Sequence, residues 1–257
     1  MTEGWRLWVD ATPRPGWANM AIDQALLDRA ERPGERWLRL YGWEPYCLSF
    51  GRHEPAARRY DRARVEALGL DVVRRPTGGR AVWHGGEITY ALTAPCAELG
   101  TVRESYIEIH RMLLDAFGRL GVVAQLAPSG RPVGVDGGAC FASPAGGEIM
   151  IGGRKAVGSA QLRQGGALLQ HGSILLQGDQ AMVQAVTRGP PPPDLAGALA
   201  SLLSTPPSAE ELIEAIAEAA AERWGGPWRR QTSADPLVEA AGGHAGRFRS
   251  EAWTWSS

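Results

Sequence analysis

Apolar residues recur at helical spacing in some stretches of the chain and alternate in others, and the two periods mark helices and strands. Trp5 to Val9 alternates as a strand. From Asn19 to about Ala30, Met20, Ile22, Leu26, Leu27 and Ala30 form the apolar side of a helix that Asn19 is placed to cap. Trp37 to Tyr41 reads as a strand, Glu44-Pro45 breaks it, and Tyr46 to Phe50 reads as the next, closed by Gly51. A short helix is expected over 61–68, with Asp61 as cap and Gly69 as its end, followed by a strand from Asp71 to Arg74. The clearest helix runs from Ser105 to Leu120. Thr101 and Glu104 make a capping box ahead of it, and Tyr106, Ile109, Leu113, Phe117 and Leu120 share one face. His110 falls off that stripe and is expected on the surface.

Val122 to Leu126 suits a strand, and 127–139 a loop. Glu148-Ile-Met-Ile151, Gly152-Gly153 and Arg154 to Gln161 read as a hairpin, because paired glycines supply the positive φ angles of a tight turn. Leu168 to Leu176, which contains His171, is strand-like. A helix is expected over 178–187 with Asp179 near its start, and Pro190 to Pro193 form an extended connection. Ser208 and Glu211 make a second capping box, ahead of a helix marked by Leu212, Ile213, Ile216, Ala220 and Trp224. Residues 1–225 are expected to form one domain, with 226–257 a tail folding back on it. Strands in clusters, interrupted by single helices, predict an α+β fold with a mixed, largely antiparallel sheet flanked by helices.

Composition narrows the function. With 257 residues and a net charge of −1, the chain has no bulk field to attract nucleic acid or an anionic membrane. No apolar run approaches the ~20 residues of a membrane span. The N-terminus lacks the basic-then-apolar order of a signal peptide, so a cytoplasmic location is the default. Cys47, Cys96 and Cys140 are far apart and odd in number, which suits free thiols rather than a disulfide framework or a zinc site.

Two stretches carry chemistry. The first, 74–92, reads RRPTGGRAVWHGGEITYAL. Its paired glycines let backbone N–H groups approach a ligand, and its arginines suit a phosphate, a carboxylate or a carbonyl oxygen. It is neither a Walker loop nor GxGxxG. A plain tight turn beside solvated arginines is the simpler alternative. His84 could be a general base, a pocket donor or a structural histidine, and His171 has the same range of roles. No Ser/His/Asp grouping stands out. The second stretch, 136–176, sets Cys140 in a Gly/Ala/Ser/Pro loop just ahead of the hairpin that bears Lys155. A neighbouring cation lowers a thiol pKa from about 8.5 towards neutrality. A buried cysteine and a solvated lysine would be the plain account. Against it, Cys140 lies outside any apolar periodicity, and Lys155 is the only lysine in the chain. Lysine can exchange a proton near neutrality when desolvated, and arginine cannot.

RRPTGGRAVWH, GRKAVGSAQ and QHGSILL, in that order and spacing, resemble the biotin/lipoate protein ligase superfamily from about Asn19 to Trp224. With Ala139-Cys140-Phe141 ahead of the lysine hairpin, the chain is most similar to its cysteine-dependent octanoyltransferases. The resemblance implies the family's catalytic-domain fold and the transfer of octanoate from octanoyl-acyl carrier protein to the target lysine of a lipoyl-domain protein. Such acceptors include the glycine cleavage H protein and a dehydrogenase E2 subunit. It implies Cys140 as acyl-thioester nucleophile and Lys155 as the group that lowers its pKa. Arg75, Thr77, Gly78, Gly79, Arg80, His84, Gly158, Ser159 and Ala160 would lie along the acyl pocket, with His171 a further substrate-binding candidate. Neither cofactor nor metal is implied, and a monomer is expected. Glu54 departs from the glutamine of many relatives, and Ala145-Gly146-Gly147 replaces a bulkier segment. An ATP-dependent lipoate–protein ligase and an amidotransferase working between lipoyl domains are the alternatives. The short tail argues against the ligase, which usually carries an extra C-terminal domain.

Overall fold

The computed structural model describes residues 4–128, 147–190, 196–232 and 235–256. The chain opens with β1 (Gly4–Arg14), α1 (Gly16–Arg29), β2 (Glu35–Trp43) and β3 (Cys47–Phe50). Two short helices, α2 (Ala56–Arg59) and α3 (Arg62–Ala67), precede β4 (Asp71–Arg74), β5 (Val82–His84) and β6 (Glu87–Pro95). Then come α4 (Val102–Arg119), β7 (Gln125–Leu126), β8 (Ile149–Ile151), β9 (Arg154–Gln164) and β10 (Ala167–Leu175). The C-terminal part holds α5 (Ala181–Val186), α6 (Leu199–Leu202), α7 (Ala209–Trp224), β11 (Trp228–Arg230), α8 (Asp235–Phe248) and α9 (Glu251–Thr254).

Among the described residues, one eight-stranded sheet has the order β11-β1-β2-β6-β10-β9-β8-β7, and a three-stranded sheet has the order β4-β3-β5. The large sheet is mixed. β1 pairs in parallel with β2 and β11, and the strands from β2 to β7 pair antiparallel. Alternation along β2 shows how its two faces are used. Leu38 and Leu40 join a core with Ile109, Leu113 and Phe117 of α4 and Leu212 and Ile216 of α7. Trp37 and Tyr41 join another with Met20, Ile22, Leu26 and Leu27 of α1 and with Phe248 of α8. Helices therefore cover both faces, and β10 is buried at every position.

Both capping boxes form, Thr101 with Glu104 and Ser208 with Glu211. Asp61 caps α3 by accepting from the Arg64 amide. The hairpin turn is made by Gly152 and Gly153 at φ +56° and +78°, the doubly positive pair of a type I′ turn.

The chain departs from expectation in several places. α1 starts at Gly16 with Pro15 at the cap position, not at Asn19. The Asn19 amide instead donates to the carbonyls of Arg14 and Gly42, tying the helix to its flanking strands. α1 is also buried well beyond one apolar side, at every residue from Asn19 to Leu27, because α8 packs over it. Helix α2 was not expected, since four residues are too few to show a period. Finally, His110 is wholly buried rather than on the surface. Its ring finds partners across the hairpin, which helical spacing along α4 cannot reveal.

Candidate active site

On the α1 side of the large sheet lies a narrow, partly open cleft. Adjacent strands build one wall: Tyr41 and Trp43 from β2, Thr89 from β6, Ser173 and His171 from β10, and Gly158 and Ala160 from β9. Tyr41, Thr89, Ser173 and Gly158 are paired in register, strand to strand. Glycine and alanine on β9 leave the space that bulkier residues would fill. Met20 of α1 closes one side. Arg75 and His84 reach in from the small sheet and the residue after it.

Each histidine of the cleft is held at both nitrogens. His84 Nδ1 meets the buried carboxylate of Glu87 at 2.6 Å, and Nε2 lies 2.6 Å from Ser49 Oγ. The ring stacks on Trp43 at 3.9 Å, and the Trp43 indole donates to Thr89. His171 Nδ1 donates to Asp23 Oδ2 at 2.9 Å, and Nε2 lies 2.5 Å from Thr77 Oγ1. Burial lowers the His171 pKa, against the pull of Asp23. A neutral ring donating at Nδ1 leaves Nε2 to accept from the Thr77 hydroxyl. Asp23 itself is fixed by the buried guanidinium of Arg39 and by the Tyr41 hydroxyl. Hydroxyl–imidazole–carboxylate chains thus exist, although the sequence showed no such grouping: Thr77 and His171 are 94 residues apart, and His171 and Asp23 are 148.

The sequence candidates divide between the cleft and its surroundings. Arg75, His84, Gly158, Ser159, Ala160 and His171 line it. Thr77 reaches it through His171. Gly78, Gly79 and Arg80 form the adjoining turn and are not among the lining residues. Arg75 braces that turn, donating to the carbonyls of Gly78 and Arg80 at 3.2 and 2.7 Å. Met20, Tyr41, Trp43, Thr89 and Ser173 were not anticipated. Thr89 and Ser173 carried a signal, as small polar residues inside apolar strands.

Lys155 lies three residues before Gly158 on β9, about 10 Å along the strand. Its side chain is fully buried, and Nζ donates to Glu148 Oε1 at 2.5 Å. Burying such a pair costs desolvation that its attraction repays only in part, so it is not explained by stability alone. β9 carries an irregularity here. One step along β8, Ile149 to Met150, faces two along β9, Val157 to Lys155, and such bulges re-aim side chains. Cys140 lies outside the described residues. Of the other cysteines, Cys47 is buried and its thiol pKa is raised by that burial and by Asp71, which makes it a poor nucleophile. No group of three or more metal-ligating side chains occurs among the described residues. Nor is any described helix long and apolar enough to cross a membrane.

Residues 15–221 match the family model "Lipoyl protein ligase A/B catalytic domain". The chain is 40% identical over 228 residues to a protein of Kyrpidia tusciae named octanoyltransferase LipM, covering 80% of this chain and 82% of that one. It is 42% identical over 200 residues to the protein of the same name in Symbiobacterium thermophilum, covering 74% and 72%. Among solved structures, a lipoate-protein ligase A bound with ATP superposes with TM-score 0.82 at 21% identity, over 99% of both chains. A bi-partite lipoate protein ligase from Thermoplasma acidophilum gives 0.79 at 19% identity, over 99% of this chain and 97% of that one. At such identities the likeness is one of fold.

Proposed function

Because this chain belongs to the lipoyl protein ligase A/B catalytic domain family, we propose that it is an octanoyltransferase of lipoate biosynthesis with its acyl site in the cleft beside β9. The observation that carries this reading is the 40% identity, over four-fifths of the chain, to a relative named octanoyltransferase. The donor is octanoyl-acyl carrier protein, and the acceptor is the target lysine of a lipoyl-domain protein.

Cys140 as a thiolate attacks the donor carbonyl. A carbon–sulfur bond forms to Cys140, the donor's carbon–sulfur bond breaks, and the carrier thiol leaves with the proton that Cys140 gave up. The neutral amine of the acceptor lysine then attacks the acyl-enzyme. A carbon–nitrogen bond forms, the Cys140 thioester breaks, and the amine's proton returns to sulfur. Thioester exchange is nearly isoenergetic, so the first half needs no ATP. Splitting one transfer into two is the usual gain of covalent catalysis. Lys155, oriented by Glu148, favours the thiolate and offers an N–H to the oxyanion. Seven carbons beyond the carbonyl, at ~0.8 kcal/mol per buried CH₂, contribute several kcal/mol to binding in the cleft. Arg75, His84, His171 and Ser159 shape that cleft. Thr77 and the Gly78-Gly79-Arg80 turn support its rim. A reducing, cytoplasmic setting suits a mechanism that depends on a free thiol.

The test is ATP-free incubation with octanoyl-acyl carrier protein, read by intact mass. The expected result is one octanoyl adduct on the wild type and none on Cys140→Ala, with transfer slowed by about 10²-fold or more in Lys155→Met. Absence of any adduct on the wild type, or transfer that demands ATP and free lipoate, overturns the reading. Faster loading from an octanoylated lipoyl domain than from the carrier protein would make the enzyme an amidotransferase.

A further inference from the structure

His110 sits on α4, on the side of the sheet away from the cleft, yet its two ring nitrogens reach both strands of one hairpin. Nδ1 lies 2.6 Å from the Gly147 carbonyl, just before β8, and Nε2 lies 2.8 Å from Ser159 Oγ on β9. A carbonyl can only accept, so Nδ1 carries the proton. Burial first, and then the nearby Lys155 charge, hold the ring pKa down at about 4, against the Gly147 bond. The ring is therefore neutral at ordinary pH, Nε2 is bare, and the Ser159 hydroxyl donates to it. Tyr90 donates in turn to Ser159, and the Gln170 amide donates to Tyr90. The whole chain of donors runs one way, from the middle of the sheet to the Gly147 carbonyl.

We propose that His110 is a positioning residue for acyl transfer: by holding Gly147 and Ser159 at once, it pins the hairpin that carries Glu148 and Lys155. Gly147 is bonded covalently to Glu148, Glu148 holds the Lys155 ammonium, and Ser159 follows Lys155 by four residues on the same strand. His110 closes that ring. A pin is needed because the ladder is irregular at this point, with one extra residue on β9 between Lys155 and Val157. Gly147 is shaped for the contact. Its φ is +90°, and a Cβ there would come within 2.6 Å of Ile107 Cδ1, so α4 lies directly on the backbone it holds. His110 does not line the cleft, so it acts through Lys155 and Glu148 and not on substrate. The inference rests on the octanoyl-transfer reading above.

Its test compares His110→Leu, which removes both bonds, His110→Asn, which keeps an amide N–H towards Gly147, and Ser159→Ala. Each full-length variant is assayed for kcat, for KM with octanoyl-acyl carrier protein, and for thermal melting. His110→Leu should lower kcat by about 10- to 100-fold while KM moves less than about threefold, as expected for a misplaced catalytic group. His110→Asn should recover much of the loss. The double variant His110→Leu/Ser159→Ala should be no slower than His110→Leu alone, because both act on one linkage. A folded His110→Leu protein with wild-type kcat overturns the proposal, as does an Asn variant no better than Leu. Should the Leu variant fail to fold, Ser159→Ala decides: wild-type kcat there overturns the proposal and a lowered one, with KM held, supports it. A wild type without octanoyl transfer, or a fully active Lys155→Met, would sink the parent reading instead.

Discussion

Enclosure gives His110 and His171 a thermodynamic signature. Burial lowers both pKa values, that of His110 to about 4. In the unfolded chain each returns to about 6.5. Between those values the unfolded state binds the extra proton, so stability is complete above about pH 6.5 and is lost as the pH falls. His110 alone should contribute about 2 kcal/mol less at pH 5 than at pH 7. Asp10 belongs to a different window. Burial raises its pKa, but Arg14 and Arg39 outweigh that and leave it lowered, so its contribution disappears only below about pH 4. Urea midpoints at pH 7 and pH 5 measure the difference. His110→Asn should show a smaller drop than the wild type, and equal drops would mean that the ring is not held neutral.

Whether an element forms from local chemistry or from its surroundings separates α4 and α1. α4 has a capping box, a single apolar stripe and a stop, all readable along the chain. α1 has no side-chain cap and is buried on nearly all sides, including Asn19, Asp23 and Gln24. Asn19 and Asp23 face Arg39, Asp23 also meets His171, and α8 packs against the helix. Thr101→Ala should therefore cost about 1 kcal/mol, the usual loss for a cap. In a chain of this size that lowers Tm by about 2–4 °C. Octanoyl transfer should be unchanged, since Thr101 is exposed and touches neither cleft nor hairpin. A melting curve identical to wild type would show that packing of α4, not its cap, sets its stability.

Across the whole molecule, Arg74 joins the C-terminal segment to the strand that leads into the cleft. Its buried guanidinium donates to the carbonyls of Gly51, Arg52 and Glu54 on one side. On the other it donates to those of Trp253, Thr254 and Ser256. The Trp253 indole donates back to the Arg74 carbonyl. The next residue, Arg75, lines the cleft. Deleting 250–257 strips one set of acceptors from a buried charge, a loss of about 3–5 kcal/mol. Tm should fall by several degrees and KM for the octanoyl donor should rise. Arg74→Met in the shortened chain should restore part of the Tm, because the stranded charge is gone. If truncation leaves Tm and KM unchanged, the tail does not brace the site.

Local pattern alone was sufficient for α4, α7, both capping boxes, the Gly152-Gly153 turn and the strand-rich α+β class, because each depends on neighbours a few residues away. Arg75, His84, Gly158, Ser159, Ala160 and His171, which line one cleft, were implied by the family resemblance of the two motifs and not by local pattern. Tertiary structure decided the rest. It set which hydroxyl and carboxylate each histidine meets, buried His110 between two strands, re-aimed Lys155 at a bulge and put Tyr41 and Trp43 in the wall. Most of those outcomes turn on contacts between residues from tens to about 150 positions apart, and no periodicity along a chain encodes a partner at that distance.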